Sequence, residues 1–169
     1  MFYQTDYHSP IGLITMASDG DSITGLWIKG QKYFASTLPL NSPQNDSLPV
    51  FSQTAQWLDA YFIGDPLPSL PPLAPDGTPF RRLVWDLLLE IPYGTTTTYG
   101  ILADELQSRG YKASPRAVGG AVGHNPISIL IPCHRVLGAN GELTGYAGGY
   151  AAKQFLLDLE QGSCADEDL

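Results

Sequence analysis

Ile131-Pro132-Cys133-His134-Arg135-Val136 sets a cysteine beside a histidine inside an apolar stretch. Upstream lies Ser114-Pro115-Arg116-Ala117-Val118-Gly119-Gly120. Its opening is a helix start, because serine caps a helix and proline suits the first helical position. Downstream comes Gly145-Tyr146-Ala147-Gly148-Gly149, a turn able to bring backbone N–H groups close to a substrate. Together the three segments predict thiolate chemistry in a pocket, next to an element that can enter DNA.

Working outward from this stretch, Thr98 is placed to cap a helix over residues 99–108, and Arg109-Gly110-Tyr111-Lys112 breaks it. A further helix follows from Pro115 to about residue 122. Two short helices across a glycine-containing turn predict a helix-turn-helix. The face of the second offers Ala117, Val118, Gly119, Gly120 and Ala121, which cannot read base edges. Small residues instead let the backbone approach a groove, with Arg116 as the one long cation near its start.

Before this pair, Thr78 and Pro79 start a helix over 80–91, closed by Pro92-Tyr93-Gly94. After it, residues 127–131 read as a buried strand or an extended segment, and residues 151–159 as the last helix. The N-terminal residues 3–28 read as a β-meander with a turn at Ser18-Asp19-Gly20-Asp21. Residues 51–63 have helical spacing through Phe51, Ala55, Leu58 and Phe62 and stop at Gly64. Six prolines between 65 and 79 fix φ and remove donors, which predicts a semi-rigid linker. The expected fold class is α+β. A domain over 1–64 carries a small antiparallel sheet, and residues 65–79 link it to a mostly helical domain over 80–162. Residues 163–169 form an acidic tail.

With 169 residues, 43% of them hydrophobic, the chain can bury one large core or two small ones. No stretch reaches the roughly 18 apolar residues of a membrane span. The first residues carry neither a basic region nor an apolar signal core, so the expected location is cytoplasmic. Two cysteines, Cys133 and Cys164, are too few for a disulfide framework. A net charge of −8 disfavours a general nucleic-acid binder. Residues 81–135, however, hold six basic side chains against four acidic ones, a small island that predicts salt-sensitive DNA contact.

A cysteine in an apolar run is often only a small buried hydrophobe. Here Pro132, His134 and Arg135 break the apolar pattern, and an imidazole is what favours a thiolate. Adjacent residues on a strand face opposite ways, so His134 is expected to reach the thiol through a bend or a water. A base needs an orienting partner. Asp158 and Glu160 end the last helix, where carboxylates oppose the helix dipole. The bland reading of both is a solvated helix end. Arg135 reads as a structural bridge between loops. His8 and His124 have no partners at metal spacing, so neither a metal nor a cofactor is expected.

Ile131–Val136, Ser114–Gly120 and Gly145–Gly149 together resemble the O6-alkylguanine-DNA alkyltransferases, the methylated-DNA–protein-cysteine methyltransferases. The resemblance is close over residues 78–162 and loose before them. It implies single-turnover DNA repair. An alkyl group passes from O6-alkylguanine in double-stranded DNA, with O4-alkylthymine as a second candidate, to Cys133. It further implies that His134 is a water-mediated base oriented by Glu160, and that Asn125 ties the active-site loop to the helix-turn-helix. Arg116 would replace the flipped guanine in the stack, and Tyr99 would help rotate the nucleotide. Backbone groups of Cys133, Val136 and Ala147 would read the guanine edge, while Tyr146 lines the pocket. A monomer is expected, with no membrane partner. Ala147 stands where some members have serine, and Thr144 where some have glycine.

Three other readings are weighed against this one. A non-catalytic lesion sensor lacks the cysteine. A cysteine hydrolase normally draws its cysteine and histidine from separate parts of the chain. A transcription factor needs a helix face richer in polar side chains than residues 117–121 provide.

Overall fold

The computed structural model describes residues 1–143 and 149–162. Thr144, Tyr146, Ala147 and Cys164, and the expected acidic tail, lie outside the described residues. The chain divides into two compact units. One holds Met1–Asp76 together with Pro126–Leu130; the other holds Gly77–Asn125 and the residues from Ile131 onward.

The first unit is built on an antiparallel meander in the order β1 (Tyr3–Ser9), β2 (Gly12–Ser18), β3 (Ile23–Ile28). β-branched and apolar residues fill β2 and β3, and Ile14, Met16, Ile23, Leu26 and Trp27 are buried. Helix α1 (Pro49–Ile63) packs on the sheet through Phe51, Trp57, Leu58 and Tyr61. The buried stripe therefore runs through Trp57 and Tyr61, one step round the helix from the expected Ala55 and Phe62. Gly64 ends α1 at φ 78°, a left-handed conformation that costs glycine little.

Both sheet edges are covered, which blunts the tendency of open edges to pair with other chains. Residues 43–45 run along β1, where Gln4 N donates to Pro43 O and Asn45 N donates to Gln4 O. Along β3, Ile23 N donates to Pro72 O and Ala74 N to Ile23 O, both at 2.8 Å. The last part of the proline-rich stretch is thus stitched to the sheet, and this unit reaches Asp76 rather than ending near residue 64. Proline lacks a donor but keeps its carbonyl, and Pro72 uses it.

Residues 126–130 also belong to this unit. Leu26 N donates to Pro126 O, and Ser128 N donates to Leu26 O. Of the two readings of residues 127–131, a buried strand or an extended segment, the strand shrinks to one bridge at Ile127. Ile129 has φ 72°, which stops any ladder there. Burial nonetheless holds: Ile127, Ile129 and Leu130 are all inside.

The second unit contains α2 (Pro79–Leu88), α3 (Tyr99–Ser108), α4 (Pro115–Gly123) and α5 (Tyr150–Gln161). The three expected caps are present. Thr78, Thr98 and Ser114 accept from the backbone N–H of Arg81, Ile101 and Ala117. Helix α2 ends at Leu88, three residues before the expected end, and tighter turns carry the chain to Ile91. Helices α3 and α4 pack on each other and form the helix-turn-helix, with Gly110 at φ 93° in the turn. Trp85 of α2 anchors α4 by donating from Nε1 to Ala121 O at 2.8 Å. A short parallel pairing joins β4 (Thr97–Thr98) to β5 (Val136–Leu137). Among the described residues no helix is long and apolar enough to cross a membrane.

Candidate active site

Cys133 lies on a single 3-10 turn, Cys133–Arg135, not on the strand that alternation implied. Pro132 sets up the turn, and the Val136 N–H closes it on Cys133 O. Three residues per turn put neighbouring side chains about a third of a circle apart. Cys133 and His134 therefore do not point to opposite faces.

The turn is buried throughout. Cys133 is 5% exposed and His134 not at all. Asn125, just past the C-terminus of α4, donates from its amide to Ile131 O at 3.0 Å and hydrogen-bonds the Cys133 thiol. One side chain thus links the helix-turn-helix to the cysteine turn. His134 Nε2 meets Glu160 Oε2 at 2.5 Å. A carboxylate accepts, so Nε2 carries the proton and Nδ1 is the basic nitrogen. Glu160, on the last turn of α5, is no solvated helix end. It is 7% exposed and also accepts from Arg135 Nε at 2.7 Å and from Gly94 N at 3.3 Å. Asp158, its rival, makes a local contact with Gln154 Nε2 at 2.8 Å.

Burial pushes the Cys133 thiol above its ordinary pKa, opposed by the Asn125 hydrogen bond and the Lys153 charge. The sequence suggests the reverse, a thiol lowered by its histidine neighbour. Desolvation overrides that, because a thiolate in an apolar site loses its hydration. Burial likewise lowers His134, although Glu160 pulls it up. The resting pair is accordingly a thiol and a neutral imidazole.

Lys153 is a buried charge beside the site that sequence reasoning misses. It is 1% exposed, donates from Nζ to Val136 O at 2.5 Å, and is pushed down to about 8 by desolvation. A signal was present. Lys153, Leu156, Leu157 and Glu160 fall at helical spacing on one face, so two charged residues sit in an apolar stripe.

Val136 is buried with both backbone groups engaged, its N–H by Cys133 O and its carbonyl by Lys153. A carbonyl has two lone pairs, so a second donor can still be accepted. Arg116 stands exposed on the first turn of α4. Tyr99, half-buried at the start of α3, lies over Gly119, with ring carbons 3.8 and 3.9 Å from where a Cβ would be. The structure thus sets a Cys133–Asn125 contact beside a His134–Glu160 pair at one short turn, and places Arg116 and Tyr99 on the helix-turn-helix. Tyr146 and Ala147 fall outside the described residues. Among the described residues no group of three or more His, Cys, Asp or Glu could hold a metal.

Comparison with known proteins covers nearly the whole chain. Residues 79–162 match the family model of the 6-O-methylguanine DNA methyltransferase DNA binding domain, and residues 2–75 its ribonuclease-like domain. The methylated-DNA–protein-cysteine methyltransferase of Haemophilus influenzae is 46% identical over 94% of this chain and 86% of its own. That of Methanosarcina acetivorans is 44% identical over 96% and 99%. A solved structure of Mycobacterium tuberculosis O6-methylguanine methyltransferase superposes with TM-score 0.83 at 42% identity, covering 96% of this chain and 94% of that one. The Mycobacterium tuberculosis protein in complex with DNA gives 0.80 at 41% identity, covering 95% and 92%.

Proposed function

The chain belongs to the 6-O-methylguanine DNA methyltransferase family, and from that premise we propose that Cys133 is the alkyl-accepting residue of a single-use repair reaction. The protein is a methylated-DNA–protein-cysteine methyltransferase, repairing DNA by moving an alkyl group from guanine O6 to a cysteine. The observation that carries the assignment is the buried Cys133 with its Asn125 contact, beside a His134–Glu160 pair.

The target oxygen lies within a stacked duplex, so the base must first be extruded, at a cost of a few kcal/mol. Arg116 fills the vacancy from the start of α4, and Tyr99 guides the turning nucleotide. The small face of α4 lets its backbone approach the groove without reading sequence. The family resemblance assigns Tyr146 and Ala147 to base recognition; both lie outside the described residues.

The thiol proton passes through a bridging water to His134 Nδ1, while Nε2 stays hydrogen-bonded to Glu160. The sulfur then attacks the alkyl carbon in line. The S–C bond forms as the C–O6 bond breaks, and the electron pair moves onto guanine. Guanine takes a proton at N1, His134 gives up through solvent the one it accepted from the thiol, and guanine leaves in its ordinary keto form. Lys153 stabilises the sulfur's negative charge during this step. The thioether cannot be hydrolysed under ordinary conditions, so each molecule acts once. The protein acts as a monomer on double-stranded DNA, without a cofactor. A reactive free thiol suits a reducing compartment, which supports a cytoplasmic location.

Cys133→Ala tests the assignment. Methyl transfer from a methylated-guanine duplex is expected to vanish while duplex affinity stays within about threefold, because a buried residue makes no phosphate contact. Retained transfer would remove Cys133 as the acceptor.

A further inference from the structure

Glu160 is gripped by more than the imidazole. Arg135 donates from Nε to Oε1 at 2.7 Å and from Nη2 to Oε2 at 3.2 Å. It therefore holds both carboxylate oxygens and shares Oε2 with His134 Nε2. Its remaining nitrogen, Nη1, donates to Ile91 O at 2.8 Å, and the Tyr93 ring lies 5.7 Å from the guanidinium carbon. The side chains of Arg135, Glu160 and His134 are 9%, 1% and 0% exposed. Nothing in the transfer chemistry described above uses this arginine.

The geometry points to Arg135 as a positioning residue for alkyl transfer: its fork fixes Glu160 against His134 and takes up part of the carboxylate's charge, leaving the imidazole a neutral base. This deepens the reading of Cys133 as acceptor and His134 as its base, and rests on it. A buried carboxylate facing an imidazole alone favours the imidazolium form, which cannot accept a thiol proton. A guanidinium on the same carboxylate divides that field. Two parallel N–H···O bonds also set the carboxylate plane, which a lysine, as a point charge, cannot do.

The charged groups acting on His134 are consistent with this. Glu160, from α5, pulls its affinity for a proton up; Arg135, from the same turn, and Lys153, from α5, hold it down. Cys133 is the adjoining thiol, and Tyr93, from the turn after α2, covers Arg135 and itself feels Glu160.

The experiment compares Arg135→Gln and Arg135→Lys in the full chain with two readouts. One is NMR titration of the His134 imidazole without DNA, including its Nε2–H proton. The other is the pH profile of methyl transfer from a methylated-guanine duplex. In Arg135→Gln the His134–Glu160 pair is expected to take up a proton about one pH unit higher. The neutral base is then lost earlier as pH falls, so the acid limb of the profile moves up by the same amount. The plateau rate falls about tenfold. Arg135→Lys keeps the charge and loses the fork. It should hold the acid limb near wild type while the plateau falls and the Nε2–H resonance shifts. If Arg135→Gln does not fold, Arg135→Lys decides alone. A wild-type titration, resonance and profile, with only a lower unfolding temperature, would overturn the proposal. The titration needs no transfer, so a failure of Cys133 to become alkylated would strike the acceptor reading and leave the Arg135 result legible.

Discussion

Lys153 shows how a single residue can work against stability and for chemistry. Its ammonium is buried, and the folded state holds it near pKa about 8 instead of 10.5. Between those values the unfolded chain binds more protons than the folded one, so this residue makes stability rise with pH from about 8 upward. Lys153→Met should flatten that rise in urea unfolding measured across the alkaline range. The same charge supports the Cys133 thiolate. Its removal should therefore move the onset of transfer up by roughly one pH unit and slow transfer at neutral pH about tenfold. A variant with wild-type kinetics would leave Lys153 as a packing residue only. The residue scale is also where the sequence was least legible. From the residues alone Glu160 reads as a dipole-opposing helix end, and only the family resemblance makes it the partner of His134, because nothing in residues 158–160 shows that Arg135 and Gly94 converge on it. The sign of the Cys133 shift is hidden for the same reason: proximity is visible in a sequence and burial is not.

Element boundaries were more legible, because caps are local. Thr78, Thr98 and Ser114 each announce a helix and each accept the expected backbone N–H. The ends set by tertiary packing were less so. Helix α5 continues to Gln161, and that extension is what seats Glu160 inside. Helix α4 carries two predictions. Gly120 is exposed, with open space where a Cβ would stand. Gly120→Ala should stabilise the helix by about 1 kcal/mol in thermal unfolding. If α4 approaches the groove as closely as its small face suggests, the same methyl group weakens duplex binding. Unchanged affinity would put Gly120 away from the DNA. Arg116→Ala should slow repair of duplex DNA far more than transfer from free methylated guanine, because the base in solution leaves no gap to fill. Equal losses on both substrates would sink the finger role.

At the scale of the whole molecule, the chain enters its first unit twice. Residues 126–130 return to β3 immediately before the turn that carries Cys133. Proline density marked a boundary near 65–79, but the return leg has no local signature, since a five-residue apolar run reads equally as strand or core. The net charge of −8 confines DNA attraction to a few basic groups, so duplex affinity should fall with added salt. If each molecule acts once, its own mass records the event. The full chain is mixed with excess methylated-guanine duplex, and its intact mass and peptides are followed by mass spectrometry. A gain of one CH2 per molecule is expected, located on the peptide that contains Cys133, after which transfer stops. Methylation at Cys164, or continued turnover by a protein of unchanged mass, would contradict it.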